Sequence, residues 1–114
     1  MRLVNQRTGV TLAREVEVAA TRASRRKGLL GRPSLDSASA LVIERCFAIH
    51  TAFMRFAIDA VFLDRNGIVR RVVVSLPPWR AAVTIGADAV VELAAGAAVD
   101  VQVGDRIYRS DESD

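Results

Sequence analysis

The chain has 114 residues, 51% apolar and only 5% aromatic, which excludes wholesale disorder and leaves Val, Ile, Leu and Ala to fill a single core. One cysteine, Cys46, excludes an internal disulfide and a multi-cysteine zinc site, and no apolar run approaches the ~20 residues of a membrane span. The formal charge is +3, yet Asp111, Glu112 and Asp114 hold three negative charges, so residues 1–110 alone carry +6.

That excess can attract anionic ligands. Arginine supplies 15 of the 16 basic residues, a bias that a GC-rich genome produces without selection for binding. Dedicated nucleic-acid binders cluster their charge and interleave aromatics; this chain does neither, so nucleic acid is not the expected partner. Residues 1–7 carry charge without a following apolar region, which is not a signal-peptide pattern. The cytoplasm is therefore the expected compartment, with no membrane partner.

Met1 to Asn5 reads as a short apolar strand, and Arg7-Thr8-Gly9 as its turn. Val10 to Ala19 alternates apolar and polar residues, the pattern of one half-buried strand. Thr21 caps a helix starting at Arg22; Gly28 and Gly31 limit it, Pro33 stops it, and Leu29, Leu30 and Leu35 dock it. Ala40 to Glu44 is a further strand. Ala57–Asp64 and Ile68–Leu76 flank Asp64-Arg65-Asn66-Gly67, the strongest hairpin signal in the chain. A three-residue loop with Gly67 left-handed sets Leu63 opposite Val69 and keeps one face apolar, whereas a two-residue loop sets Leu63 opposite Arg70. Pro77-Pro78-Trp79-Arg80 ends the hairpin. Ala89–Leu93, Val99–Val103 and Arg106–Tyr108 complete the strands, with turns at Gly96 and Gly104-Asp105.

These elements predict a mainly β (α+β) domain over residues 1–109, followed by an acidic flexible tail at 110–114. The architecture is an antiparallel barrel-like or folded sheet of about seven or eight short strands with one helix packed against it. No βαβ rhythm is apparent.

Four blocks, in this order, resemble the family called domain of unknown function 192. They are Arg25-Arg26-Lys27-Gly28-Leu29-Leu30-Gly31-Arg32; Cys46 through Asp59; Val61-Phe62-Leu63-Asp64 with Gly67; and Glu92-Leu93-Ala94-Ala95-Gly96 followed by Gly104-Asp105. They span most of Thr21 to Ile107. The resemblance implies a compact β-rich domain with a helix and brings no established activity. The chain departs from the family pattern at Leu30, where Met is commoner, and after Met54, where many members place Asn-Thr.

The chemically dense stretch is Cys46 to Asp59. Residues four apart share a face in a strand and in a helix alike, so Cys46, His50 and Met54 form one set and Thr51, Arg55 and Asp59 another. Cys, His and Met are soft, copper-selecting ligands. However, four residues span ~13 Å in a strand and ~6 Å in a helix, while a metal needs every ligand within ~2–2.5 Å. No metal and no cofactor is expected, and packing accounts for Cys46 and Met54. His50, the only histidine, belongs to the residue type whose ordinary titration falls near neutrality. Neighbours in a strand point apart, so a site using both His50 and Thr51 requires a bend between Cys46 and Asp59. Asp59 lies in an apolar run and must be paired or hydrogen-bonded; an ion pair with Arg55 or another arginine is the structural reading. Glu92, in Val90-Val91-Glu92-Leu93, raises the same question. Arg25-Arg26-Lys27 reads as a solvated helix face or as an anion site, and Trp79 as a plug on the core or a stacking surface at a pocket mouth.

The leading functional expectation is a non-catalytic binding module with a small polar pocket for an anionic small molecule or a peptide carboxylate. Its candidate residues are His50, Thr51, Arg55, Asp59 and Arg80, with Arg26 and Arg32 at its edge. The alternatives are a hydrolase-like enzyme using His50 with Asp59 or Cys46, and an accessory protein acting through protein–protein contacts along a sheet edge.

Overall fold

The computed structural model describes residues 1–111. Its elements are β1 (Arg2–Asn5), β2 (Thr11–Ala13), β3 (Glu15–Ala19), α1 (Arg22–Lys27), β4 (Ser39–Glu44), β5 (Ala48–His50), β6 (Ile58–Leu63), β7 (Val69–Leu76), β8 (Ala81–Val83), β9 (Ala89–Ala94) and β10 (Ile107–Ser110). A five-stranded sheet of order β3-β4-β9-β6-β7 forms the middle of the molecule. A three-stranded sheet, β10-β1-β2, and a two-stranded sheet, β5-β8, accompany it.

The middle sheet is buried on both sides because β4, β6 and β9 are nearly continuous apolar runs. Successive residues of a strand face opposite ways, and the two cores follow that alternation. Ala40, Val42, Val61, Leu63, Val91 and Leu93 pack with Leu3, Ala13 and Ile107 of the three-stranded sheet. Leu41, Ile43, Ile58, Ala60, Phe62 and Val90 pack with Leu29, Ile49, Met54 and Ala82 on the other side. On β9, Glu92 shares parity with Val90 and lies opposite Leu41 of β4 and Ala60 of β6, so its side chain belongs to this second face.

The mainly β architecture with one helix agrees with the expectation, in its folded-sheet form: the sheets are open and no closed barrel is built. The described residues contain ten strands rather than seven or eight. The single strand expected over Val10–Ala19 divides at Arg14, where the chain leaves the three-stranded sheet and enters the middle one. Alternation alone does not register that change of sheet. β3 and β4 run parallel, with α1 in the connection between them, so one β-α-β crossover exists where none was expected. Val99–Val103 is not a strand; Val99 and Val103 are exposed, and turns at Gly96 and Gly104 hold the segment irregular. Of the expected tail, Ser110 ends β10 and Asp111 is exposed, while residues 112–114 lie outside the described residues.

Local signals that depend on backbone chemistry hold. Thr21 caps α1 through a reciprocal pair with Ser24, both bonds 3.0 Å. The β6–β7 hairpin adopts the bulged register, with Leu63 opposite Val69 and Gly67 at φ 79°. A second constraint acts on Gly67, because a Cβ there would sit 2.7 Å from the Ile107 carbonyl oxygen. No helix among the described residues is long and apolar enough to cross a membrane.

Candidate functional site

The Cys46–Asp59 stretch bends as a two-sided site requires. β5 ends at His50, the chain turns through Ala52 and Phe53, and β6 starts at Ile58. Phe53 has φ 64°, a left-handed conformation that is costly for a bulky side chain. The bend follows Thr51, so His50 and Thr51 still part company.

Thr51 is fully buried and serves the fold. Its hydroxyl donates to the Pro77 carbonyl at 2.6 Å and accepts from the Arg80 amide at 2.9 Å. Its backbone amide donates to the Arg80 carbonyl at 2.8 Å, and its carbonyl accepts from the Trp79 amide at 3.0 Å. Thr51 thereby clamps the Pro77–Arg80 loop to the end of β5. Trp79 does not plug the core. It is 59% exposed and packs against Phe53, the two rings tilted by 60° with centroids 4.5 Å apart.

Asp59 is also fully buried, and its partner is not an arginine. Its carboxylate accepts from the backbone amides of Ser75 at 2.8 Å, Gly96 at 3.0 Å and Ala98 at 2.9 Å. The β6–β7 register shifts between Ile58 and Ala60, which frees the Ser75 amide from the ladder. Asp59 fills that gap and simultaneously holds the turn after β9. Arg55 is exposed, and Arg80 is exposed with its guanidinium on the Trp79 carbonyl. Arg32 makes a bidentate pair with Glu17, at 3.0 and 2.8 Å.

A cavity of about 400 Å³ opens on the second face of the middle sheet, within the range of small-ligand sites. Arg25, Arg26, Lys27 and Gly28 border it from the end of α1; Arg45, Cys46 and His50 border it from the β4–β5 side. Buried Leu29, Ile43, Ile49 and Met54 form apolar walls. Arg26, Lys27 and Arg45 are exposed, which puts positive charge at the mouth beside the exposed His50 ring, whereas Glu92 is 3% exposed and sits at the floor.

Glu92 is the residue that defines the cavity. Burial pushes its carboxyl up to about 7, only partly opposed by the charge of Arg32. Among the described residues no hydrogen bond satisfies it. Gly28 turns beside it at φ 49°, and a Cβ at Gly28 would lie 3.8 Å from Glu92 Oε1. The end of the helix therefore comes down onto the carboxyl with no side chain intervening.

Cys46, His50 and Met54, grouped by their spacing, do share the cavity lining. Among the described residues no group of three His, Cys, Asp or Glu residues is placed to hold a metal ion. The Cys46 thiol donates to the Ala48 carbonyl at 3.1 Å, and burial raises its pKa, so it is held as the thiol rather than the nucleophilic thiolate. His50 Nδ1 accepts from the Ala52 amide at 3.3 Å. No hydrogen bond joins His50 to Cys46 or Asp59 among the described residues.

Of the candidate residues, His50 and Arg26 therefore meet at one cavity, while Thr51, Arg55, Asp59, Arg80 and Arg32 are absent from its lining. Arg25, Lys27, Arg45 and Glu92 complete it. The basic triplet and the lone acid of the Val90–Leu93 run were the visible signals. That they meet is a property of the sheet order.

The fold and cavity define a small mainly β domain with a basic-mouthed pocket. The family model DUF192, "Uncharacterized ACR", matches residues 3–108, and the chain belongs to that family. The fold is similar to that of a protein of unknown function from Novosphingobium aromaticivorans DSM 12444, with TM-score 0.80 and 20% identity over 96% of this chain and 84% of that one. It is equally similar to a protein from Sinorhizobium meliloti 1021 described provisionally as a transcription regulator, with TM-score 0.80 and 22% identity over 94% of this chain and 89% of that one. No curated protein matches the chain.

Proposed function

We propose that the domain is a non-catalytic binding module whose cavity takes a small molecule or chain end carrying an anionic group. The observation that carries the reading is the arrangement of Arg25, Arg26, Lys27 and Arg45 around one apolar-walled cavity of about 400 Å³. Consecutive cations on a short helix are ordinarily solvated, but here they border a concave space deep enough to hold a ligand. Guanidinium groups match carboxylate and phosphate oxygens geometrically, and the apolar walls add burial for a hydrocarbon portion. The thiol state of Cys46 and the separation of His50 from Asp59 favour binding over nucleophilic or acid–base chemistry.

Thermal-shift screening tests this with inorganic phosphate, a series of alkanoates, and one peptide with a free or an amidated C-terminus. Binding predicts stabilisation by at least one anion, preference for the free over the amidated peptide, and loss of the effect in Arg26→Ala/Lys27→Ala. A flat response to every anion at millimolar concentration would sink the reading.

A further inference from the structure

We propose that the ligand is amphoteric: an amino carboxylate whose anionic end is met by Arg26 and Lys27 at the mouth and whose ammonium group reaches Glu92 at the floor. This rests on the anion-binding reading above and names the class of molecule.

The argument starts from what Glu92 lacks. A carboxyl group buried to 3% exposure needs partners for its oxygens, and protein interiors supply them almost without exception. Asp59 shows the pattern in this same molecule, with three backbone amides on one carboxylate. Asp105 shows it again, taking Asn5, Arg7 and the Gln102 amide. Glu92 has none, although the groups closest along the chain and across the sheet are apolar and could have been joined by an apolar residue. Its carboxyl instead lines a cavity.

A ligand group that complements it must donate hydrogen bonds. Above pH 7, where Glu92 is ionised, a second anion is repelled there, and a hydrocarbon end would leave the oxygens bare. An ammonium group gives a charge-assisted hydrogen bond, the strongest class available to a carboxylate. The mouth requires the opposite sign. Arg26 and Lys27 are exposed, and among the described residues no hydrogen bond or ion pair holds either side chain; Glu17 feels the Lys27 charge only at a distance, so both present charge to whatever enters. Gly28 places no side chain against Glu92, where a Cβ would lie 3.8 Å from Oε1, so the helix end does not cap the carboxyl with one. One molecule with opposite charges at its two ends satisfies both.

The test compares ω-amino carboxylates with alkanoates of equal length, for example 4-aminobutanoate with butanoate and 6-aminohexanoate with hexanoate, by calorimetry at pH 8. At the length that spans floor to mouth, the amino compound binds at least tenfold more tightly than its alkanoate, and in Glu92→Gln the two bind within twofold of each other. Wild-type protein provides an independent measurement. Between pH 6 and pH 8 the ratio of the two affinities rises as Glu92 ionises. His50, Cys46, Arg25, Arg26, Lys27 and Arg45 also face the cavity and Arg32 acts on Glu92 by charge, but any effect at the mouth falls on the carboxylate both ligands share and cancels in the ratio. Equal affinities at every length, or an amino preference that survives Glu92→Gln, overturns the amphoteric assignment while leaving anion binding intact. Absence of binding by alkanoates and amino carboxylates alike overturns both.

Discussion

Replacing Glu92 with Gln should stabilise the folded domain, and the gain should depend on pH. In the unfolded chain the carboxyl titrates at its ordinary value of 4.5, while burial in the fold raises it to about 7. Below pH 4.5 both states hold the proton, so ionisation costs nothing. Between the two values the unfolded state releases a proton that the folded state keeps, and stability falls as pH rises. Above about pH 7 the cost is constant at about 3 kcal/mol, from 1.36 kcal/mol for each tenfold change in the proton equilibrium. Glutamine keeps the shape and cannot ionise. The variant should therefore match the wild type near pH 4 and exceed it by about 3 kcal/mol at pH 8. In urea this is a midpoint increase of about 1–3 M. Other titrating groups, Asp105 among them, act equally in both proteins and drop out of the difference. A stability difference that does not change from pH 4 to pH 8 would refute the reasoning, as would a variant less stable than wild type at pH 8. Either result means the fold already compensates the ionised carboxylate.

Asp59→Ala leaves the Ser75, Gly96 and Ala98 amides without their acceptor, and should cost at least about 3 kcal/mol in urea denaturation, from about 1–3 kcal/mol for each unsatisfied buried group. Thr51→Val removes the hydroxyl between Pro77 and Arg80; a loss of about 1–3 kcal/mol is expected, with Trp79 fluorescence becoming more readily quenched as the loop loosens. Phe53 sits at φ 64°, so Phe53→Gly should be more stable than Phe53→Ala by about 1 kcal/mol; equal stabilities would mean that the turn relaxes around either residue. Asp105, lowered to about 2 chiefly by its hydrogen bond from Arg7, contributes stability that is fully present above pH 3.8 and is lost as pH falls towards 2. Acid titration of Asp105→Asn, followed by circular dichroism, should lack that loss.

The local parts of this protein were legible in its residues. Thr21 and Ser24 specify the start of the helix because a capping hydroxyl needs only a neighbour three residues away. Gly67 specifies the hairpin register because one left-handed residue sets which side chains face each other across the turn. The runs Leu41–Ile43, Ile58–Leu63 and Val90–Val91 announce buried strands by composition. The break of Val10–Ala19 at Arg14 was not legible, since the alternating pattern is the same whether a strand continues or changes sheets.

The cavity belongs to tertiary structure. Nothing local to Val90–Leu93 says that Glu92 faces the helix end; that follows from pairing β9 between β4 and β6, which commits its even-numbered residues to the second face. Gly28 then meets Glu92 across 64 positions of sequence. The spacing of Cys46, His50 and Met54 correctly put them together, but the turn at Phe53, rather than a continuous face, is what gathers them around one opening. Chain-local preferences act over a few residues. Which carboxylate receives three amides and which receives none is decided only when distant strands pair, and that difference separates Asp59, which holds the fold, from Glu92, which waits at the floor of a cavity.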